Sequence, residues 1–204
     1  MKTTIFLVRH AETKDNYEDR IAGSMVDSDL TEKGIEQAKK LRERLAKEKF
    51  DAVYSSPLGR SMKTAKLANP NGLEIRQDQG LVEKGFGEID GMIWDNVEKN
   101  WPGLKAKYIA TGELPGVKGI EGFEESQERI HAALKKIAED NPGKKILVFT
   151  HGTITRMLLS KLMDKNNAES MDIKIRNCAI TVLNYENGSF KVKSINDDSF
   201  LTSS

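Results

Sequence analysis

Thr4-Ile5-Phe6-Leu7-Val8, followed without a break by Arg9-His10-Ala11-Glu12-Thr13, is the stretch on which the reading of the whole chain turns. Its first five residues are β-branched, aliphatic or aromatic and do not alternate with polar ones. That is the pattern of a strand buried on both faces. Buried strands usually run out into turn residues, whereas this one runs out into an arginine beside a histidine. A charged surface loop is the simplest explanation, and the other strand ends have to decide against it or for it.

Two further runs share the pattern. Phe50-Asp51-Ala52-Val53-Tyr54 leads into Ser55-Ser56, and Lys145-Ile146-Leu147-Val148-Phe149 leads into Thr150-His151-Gly152. Helical periodicity lies between them. Thr31 is placed to cap a helix with apolar positions at Ile35, Ala38, Leu41 and Leu45. Ser56-Pro57 reads as an N-cap with proline at the first helical position, opening a helix through about Leu67. Ile130, Ala133, Leu134, Ile137 and Ala138 mark another helix, stopped by Asn141-Pro142-Gly143. Ile154, Met157, Leu158, Lys161 and Leu162 mark a fourth. The runs Ala179 to Tyr185 and Phe190 to Ile195 flank Asn187-Gly188, a strong hairpin signal. Strand–helix alternation of this kind predicts a three-layer α/β/α fold with a mostly parallel central sheet and one antiparallel edge hairpin. Residues 84–125 fit the alternation poorly and hold both tryptophans. They read as a lid-like insertion within a single domain of residues 1–204.

The chain has 204 residues, with 38% apolar and 31% charged, as in an ordinary globular protein. Its 32 basic and 31 acidic residues balance to a formal charge of +1, which argues against nucleic-acid or polybasic membrane binding. Any cationic site must therefore be local. The single cysteine, Cys178, rules out an intrachain disulfide and suggests a reducing compartment. No apolar run matches a signal peptide or approaches the ~20 residues of a membrane helix. These features predict a cytoplasmic protein, monomeric or homodimeric, acting on a small molecule.

In open α/β sheets, ligands bind outside the carboxyl ends of the strands. The first strand ends there in Arg9 and His10, and the third in Thr150 and His151. Beyond the second, Arg60 falls in the first turn of the following helix. Two of only three histidines, with two arginines, would thus converge; the third, His131, lies in a polar-flanked helix. Such a set suits a phosphate dianion. Arginine offers a planar charged fork matched to phosphate oxygens, and imidazole is a competent nucleophile toward phosphorus. Helix N-termini after the second and third strands would add N–H donors. Nearby cations also disfavour protonation of His10, leaving its lone pair for attack, while a bound dianion pushes the other way. A metal centre is the competing reading. It is disfavoured by the two arginines and by the lack of any HxxxH, HxH or CxxC spacing, so no metal or cofactor is expected.

At this point the residues resemble a known family. Arg9-His10-Ala11-Glu12-Thr13 with Asn16 is similar to the RHG[ET] signature of the histidine phosphatase superfamily, the phosphoglycerate mutase-like group. Asp29-Leu30-Thr31-Glu32-Lys33-Gly34, Ser55-Ser56-Pro57-Leu58-Gly59-Arg60, Leu81-Val82-Glu83 and Phe149-Thr150-His151-Gly152 resemble its later blocks, in order. Asn177-Cys178-Ala179-Ile180 resembles its final core strand. Ala11 stands where glycine is usual and Thr150 where serine is frequent. Gly122-Phe123-Glu124-Glu125-Ser126 resembles the family's Gly-Glu-Ser block only loosely.

The resemblance implies a phosphohistidine intermediate on His10, with Arg9, Arg60 and His151 holding the phosphoryl oxygens. It implies Asn16, Gly23, Gly152 and Thr153 as further substrate contacts, and Glu83 as the general acid and base. Nothing but the resemblance selects Glu83 from the 31 acids. Glu12 is expected to brace the turn. Mutases of the family carry a second cationic cluster in the insertion, and none is evident between Lys84 and Ser126. The resemblance therefore points to the phosphatase branch, with broad-specificity and ribazole-phosphate phosphatases among its members. A cofactor-dependent phosphoglycerate mutase and a non-catalytic phosphate-binding relative remain as alternatives. Trp94, Trp101 and Tyr108 are expected either to shape the leaving-group pocket or to pack the core.

Overall fold

Strand and helix positions follow from which residues the chain can bury. The computed structural model describes residues 1–202. In chain order its elements are β1 (Thr3–Arg9), α1 (Lys14–Tyr17), α2 (Glu32–Leu45), β2 (Ala52–Ser55), α3 (Gly59–Ala68), β3 (Ile75–Gln77), α4 (Trp94–Asn100) and α5 (Leu104–Thr111). There follow α6 (Phe123–Glu139), β4 (Lys145–Thr150), α7 (Gly152–Leu162), α8 (Asn167–Ser170), β5 (Ile180–Glu186), β6 (Ser189–Asp197) and α9 (Ser199–Thr202).

Successive side chains of a strand point to opposite faces, and β1 uses both. Ile5 and Leu7 pack into one core with α6 and α7, through Ile130, Leu134, Ile154 and Leu158. Phe6 and Val8 pack into the other with α2 and α3, through Ala38, Leu41, Leu45 and Ala65. β4 repeats the division, with Ile146 and Val148 on the first side and Leu147 and Phe149 on the second. The result is the expected three-layer α/β/α arrangement. A third, smaller apolar cluster joins Ile21, Phe86, Ile89, Val97, Leu104 and Leu114.

The described residues form a six-stranded sheet in the order β3-β2-β4-β1-β5-β6. The first four strands are parallel, and β1–β5 and β5–β6 are antiparallel. The β5–β6 turn is Asn187-Gly188, both at positive φ (53° and 78°), as a tight primed hairpin turn requires. This order has one decisive consequence: β2, β4 and β1 lie side by side, so their carboxyl ends share one edge.

Two local expectations need correcting. Ser56-Pro57 does not cap α3, which begins at Gly59 with Leu58 at the N-cap and no side-chain cap of its own. The Ser56 hydroxyl accepts the Leu58 N–H, ahead of the helix, and meets His151 Nε2 at 2.7 Å. Cys178 does not belong to the last core strand. It precedes β5 at φ 59° and donates its N–H to the Arg9 and His10 carbonyls. Its thiol is buried, and burial pushes its pKa up to about 12, so it is inert. The strand β3 was not anticipated. Among the described residues no helix is long and apolar enough to cross a membrane.

Candidate active site

In the parallel register Arg9 faces Thr150, so the next residue of each strand, His10 and His151, leave the sheet together. Their ring centroids are 5.3 Å apart, close to the spacing of adjacent strands. Both rings are buried, at 3% and 0% exposure. Backbone bonds hold the loop tightly. The His10 N–H donates to Thr150 O, and the His10 carbonyl accepts from Asn177 Nδ2 at 3.0 Å. The Ala11 N–H donates to Thr64 Oγ1, which itself donates to Arg60 O.

The tautomer of His10 follows from its partner. Nδ1 lies 2.8 Å from the Ala11 carbonyl, and a carbonyl can only accept, so Nδ1 carries the proton. The pKa of His10 is held well below its usual value, first by burial and then by Arg60 and Arg9. A neutral ring with its proton on Nδ1 leaves the lone pair on Nε2. His151 is depressed as well, by burial and then by Arg60, His10 and Arg9. Its Nε2 meets Ser56, and its Nδ1 is buried with no partner among the described residues.

Buried neutral histidines have a stability consequence. In the unfolded chain they gain protons as pH falls through about 6.5, while the folded protein resists protonation. Stability is thus present above that pH and lost below it, at up to about 1.4 kcal/mol per pH unit for each such group. Unfolding free energy from denaturant titrations should fall steadily from pH 7 to pH 5. The partly buried His131, also depressed, adds in the same direction, so the His131→Gln variant is the proper background. A flat profile in that variant would contradict neutral burial of the pair.

Arg9 lies flat over the start of α7. A Cβ on Gly152 would come within 3.0 Å of its Nε and 3.2 Å of its Cζ, which explains glycine at that position. Arg9 Nη1 donates to Ile175 O at 2.6 Å. The Arg60 side chain is fully buried. Its Nη1 donates to Val26 O and Asp27, and its Nη2 to the carbonyls of Ala22 and Gly23. Only Nε is left, buried and without a partner among the described residues. Gly23 therefore serves Arg60 through its carbonyl.

Both helix N-termini expected to offer free N–H donors are instead covered by carboxylates. Asp27 accepts from the Gly59 and Arg60 N–H groups, acting as a cap supplied from a distant loop. Removing such a cap costs about 0.5–2 kcal/mol. Asp27→Ala is expected to lower unfolding free energy by that amount and to weaken inhibition by inorganic phosphate several-fold, as Arg60 loses its anchor. Unchanged stability together with an unchanged inhibition constant would contradict this role.

At α7, Glu83 takes the corresponding place. Its Oε2 accepts from Thr153 N at 2.9 Å, and its Oε1 from Ile154 N at 2.7 Å and Lys84 N at 2.8 Å. It is 5% exposed, yet it borders the cleft. That cleft, of about 270 Å³, is lined by Arg9, His10, Asn16, Glu83, Gly152 and Thr153. His151 lies beside His10, and Arg60 reaches the cleft wall through the carbonyl of Ala22.

Asn16 is fixed by Asn177, whose Nδ2 donates to Asn16 Oδ1 at 3.0 Å. Glu12 accepts from Thr31 and pairs with Lys33, bracing the turn as expected. His131 lies elsewhere, edge-on to Phe190. Trp94 and Tyr108 border the cleft, whereas Trp101 does not and packs on the third apolar cluster. Lys105 and Lys107 are paired on the surface with Asp19 and Glu113. Sequence reasoning quoted Ser56 and Asn177 within motif blocks without giving either a role in the site, and it missed Asp27 and the cleft arginines Arg20 and Arg156. The last three are brought in by packing from segments whose local pattern gives no sign of them.

A mostly parallel sheet presenting two histidines and two arginines at one carboxyl edge is the architecture of a histidine phosphatase. The chain belongs to the histidine phosphatase superfamily, branch 1, whose family model matches residues 5–198. It is 32% identical over 205 residues to the metal-independent phosphoserine phosphatase of Arabidopsis thaliana, covering 98% of this chain and 84% of that one. It is 31% identical over 183 residues to a Salmonella choleraesuis protein named "Probable phosphoglycerate mutase GpmB", covering 89% and 85%. Among solved structures, Bacillus stearothermophilus YhfR superposes with a TM-score of 0.91 at 29% identity, covering 98% of this chain and 99% of that one. The Entamoeba histolytica phosphoserine phosphatase in complex with 3-phosphoglyceric acid gives 0.85 at 25%, with the same coverage. The protein is an enzyme of the phosphatase type.

Proposed function

We propose that this enzyme hydrolyses small phosphomonoesters by transferring the phosphoryl group first to His10 and then to water. The observation that carries this reading is the state of His10: buried, neutral, and held by the Ala11 carbonyl in the tautomer that leaves Nε2 nucleophilic. In the first step Nε2 forms a bond to phosphorus while the ester P–O bond breaks, and Glu83 protonates the departing oxygen. In the second step Glu83 takes a proton from water, the water oxygen attacks phosphorus, and the N–P bond breaks to release phosphate. Such proton transfer needs the acid within hydrogen-bond reach of the leaving oxygen, and Glu83 borders the same cleft as His10.

Charge on the phosphoryl oxygens is met by Arg9, by the remaining Nε–H of Arg60 and by His151, donors fixed before the reaction begins. Asn16, Gly152 and Thr153 line the remainder, and Gly23 acts through Arg60. Residues 84–125, packed with Ile21 in the third apolar cluster, form the leaving-group wall within one catalytic unit spanning 1–204. The buried, unreactive Cys178 is consistent with a cytoplasmic setting, and the small cleft with a soluble substrate.

Turnover of 4-nitrophenyl phosphate that persists in EDTA is the expected result. Activity lost in EDTA and restored by a divalent cation would contradict it, as would 2,3-bisphosphoglycerate-dependent isomerisation of 3-phosphoglycerate that outruns hydrolysis.

A further inference from the structure

The cleft contains a cation that the chemistry at His10 does not use. Arg156 sits on α7 four residues after Gly152, on the same helical face and ~6 Å further along the axis. Both residues line the cleft that holds His10 and Glu83. Arg156 Nη2 donates to the Tyr108 hydroxyl at 2.9 Å, and its Cζ lies 5.8 Å from the Tyr108 ring centroid. Tyr108 is itself fixed, stacked on Trp94 at 5.6 Å and edge-on to Phe86 at 6.2 Å. The guanidinium is therefore held in place before any ligand arrives.

What it lacks is a counter-charge. Among the described residues no carboxylate is within ion-pair distance of Arg156, although its surface neighbours are widely paired. Its Nε is buried and has no hydrogen-bond partner. Its charge also opposes that of the buried Lys84, whose Nζ turns to the Glu121 carbonyl. Arg20, the third arginine of the cleft beside Arg9 and Arg156, differs: it is taken up by the Gly91 carbonyl, Glu18 and Asp15. A half-buried arginine with no counter-charge, whose Nη2 alone is taken up and whose Nη1 has no partner among the described residues, is costly unless a ligand completes it.

We infer that Arg156 is a specificity-determining residue that receives a carboxylate on the leaving group, so that the preferred substrates are phosphomonoesters of small hydroxy acids. This inference rests on the hydrolase reading above. One remaining fork edge suits a planar monoanion, which it can bind bidentately. A second phosphoryl dianion would call for the several cations that surround His10. The exposed Lys174 adds charge at the rim of the cleft. The short distance along α7 suits a leaving group of two or three carbons.

The test is kcat/KM for 3-phosphoglycerate against glycerol 3-phosphate, which differ in a carboxylate replaced by a hydroxymethyl group. Wild type is expected to favour the carboxylate ester by about 10–100-fold, the range of a lost charge-assisted pair. Arg156→Leu should bring the ratio to within about threefold of one, mainly through KM, and Arg156→Lys should restore part of it. Tyr108→Phe keeps the ring stack but releases Nη2. It should lower the ratio several-fold, and it decides the matter if Arg156→Leu does not fold. A ratio unaffected by these variants, or a wild-type preference for 2,3-bisphosphoglycerate over both esters, would overturn the inference alone. Failure of wild type to hydrolyse either ester or 4-nitrophenyl phosphate would overturn the hydrolase reading instead.

Discussion

His10→Ala is expected to lower kcat for every phosphomonoester by about 10⁴-fold or more, the scale on which removal of a nucleophile that acts as a unit with its neighbours is felt. No other group in the cleft can replace it. His151 is committed to Ser56 through Nε2 and is buried completely. Cys178 is a buried thiol pushed up to about 12. The lost ring is also a buried neutral base among cations, so the variant should keep more of its stability below pH 6.5 than wild type does. Arg9, Arg60 and His151 remain, so inorganic phosphate should still bind. A residual rate within tenfold of wild type in steady-state assays would contradict the nucleophile assignment.

Glu83→Gln is expected to cost about 10²–10⁴-fold on an alkyl phosphate. The loss on 4-nitrophenyl phosphate should be much smaller in the first step, because that leaving group departs without a proton. The carboxylate accepts three backbone N–H bonds, from Thr153, Ile154 and Lys84. A glutamine amide can present its NH2 group only against one of these donors. A stability loss of about 1–3 kcal/mol should therefore accompany the kinetic effect, and thermal melts set the temperature for the comparison. Equal losses on alkyl and aryl esters in single-turnover measurements would argue against proton donation and for a purely positional role.

How much of this was legible in the sequence depends on where the physical signal sits. β1 and β4 were readable because both faces of each are buried, which forces continuous apolar runs. The hairpin was readable because its turn demands positive φ at Asn187 and Gly188. β3 was not: it is a three-residue edge strand with only Ile75 packed and Arg76 and Gln77 exposed. The start of α3 was misplaced because Ser-Pro is a sound local cap signal. Tertiary structure overrode it by assigning the Ser56 hydroxyl to His151 and supplying Asp27 as the cap.

The site divides in the same way. His10, Arg9 and His151 announce themselves as polar residues that end apolar strands, a local contrast any reading can detect. Glu83 lies among turns with no periodicity to single it out, and only the family resemblance raised it. Its geometry on the N-terminus of α7 supplies the physical reason afterwards. Arg156 was invisible, because an arginine on a helix is ordinarily a solvated residue. Its meaning comes from Tyr108, which a separate segment places beside it.

The central claim is that the phosphoryl group passes through His10, and rapid quenching tests it most directly. Wild type mixed with a phosphomonoester, stopped in base within one turnover and digested, should yield a phosphoryl adduct on the peptide containing His10. The adduct should be stable to alkali and labile to acid. It should be absent from His10→Ala and should accumulate in Glu83→Gln supplied with the aryl ester. Turnover at the normal rate with no adduct, or with the adduct on His151 or any other residue, would contradict the account.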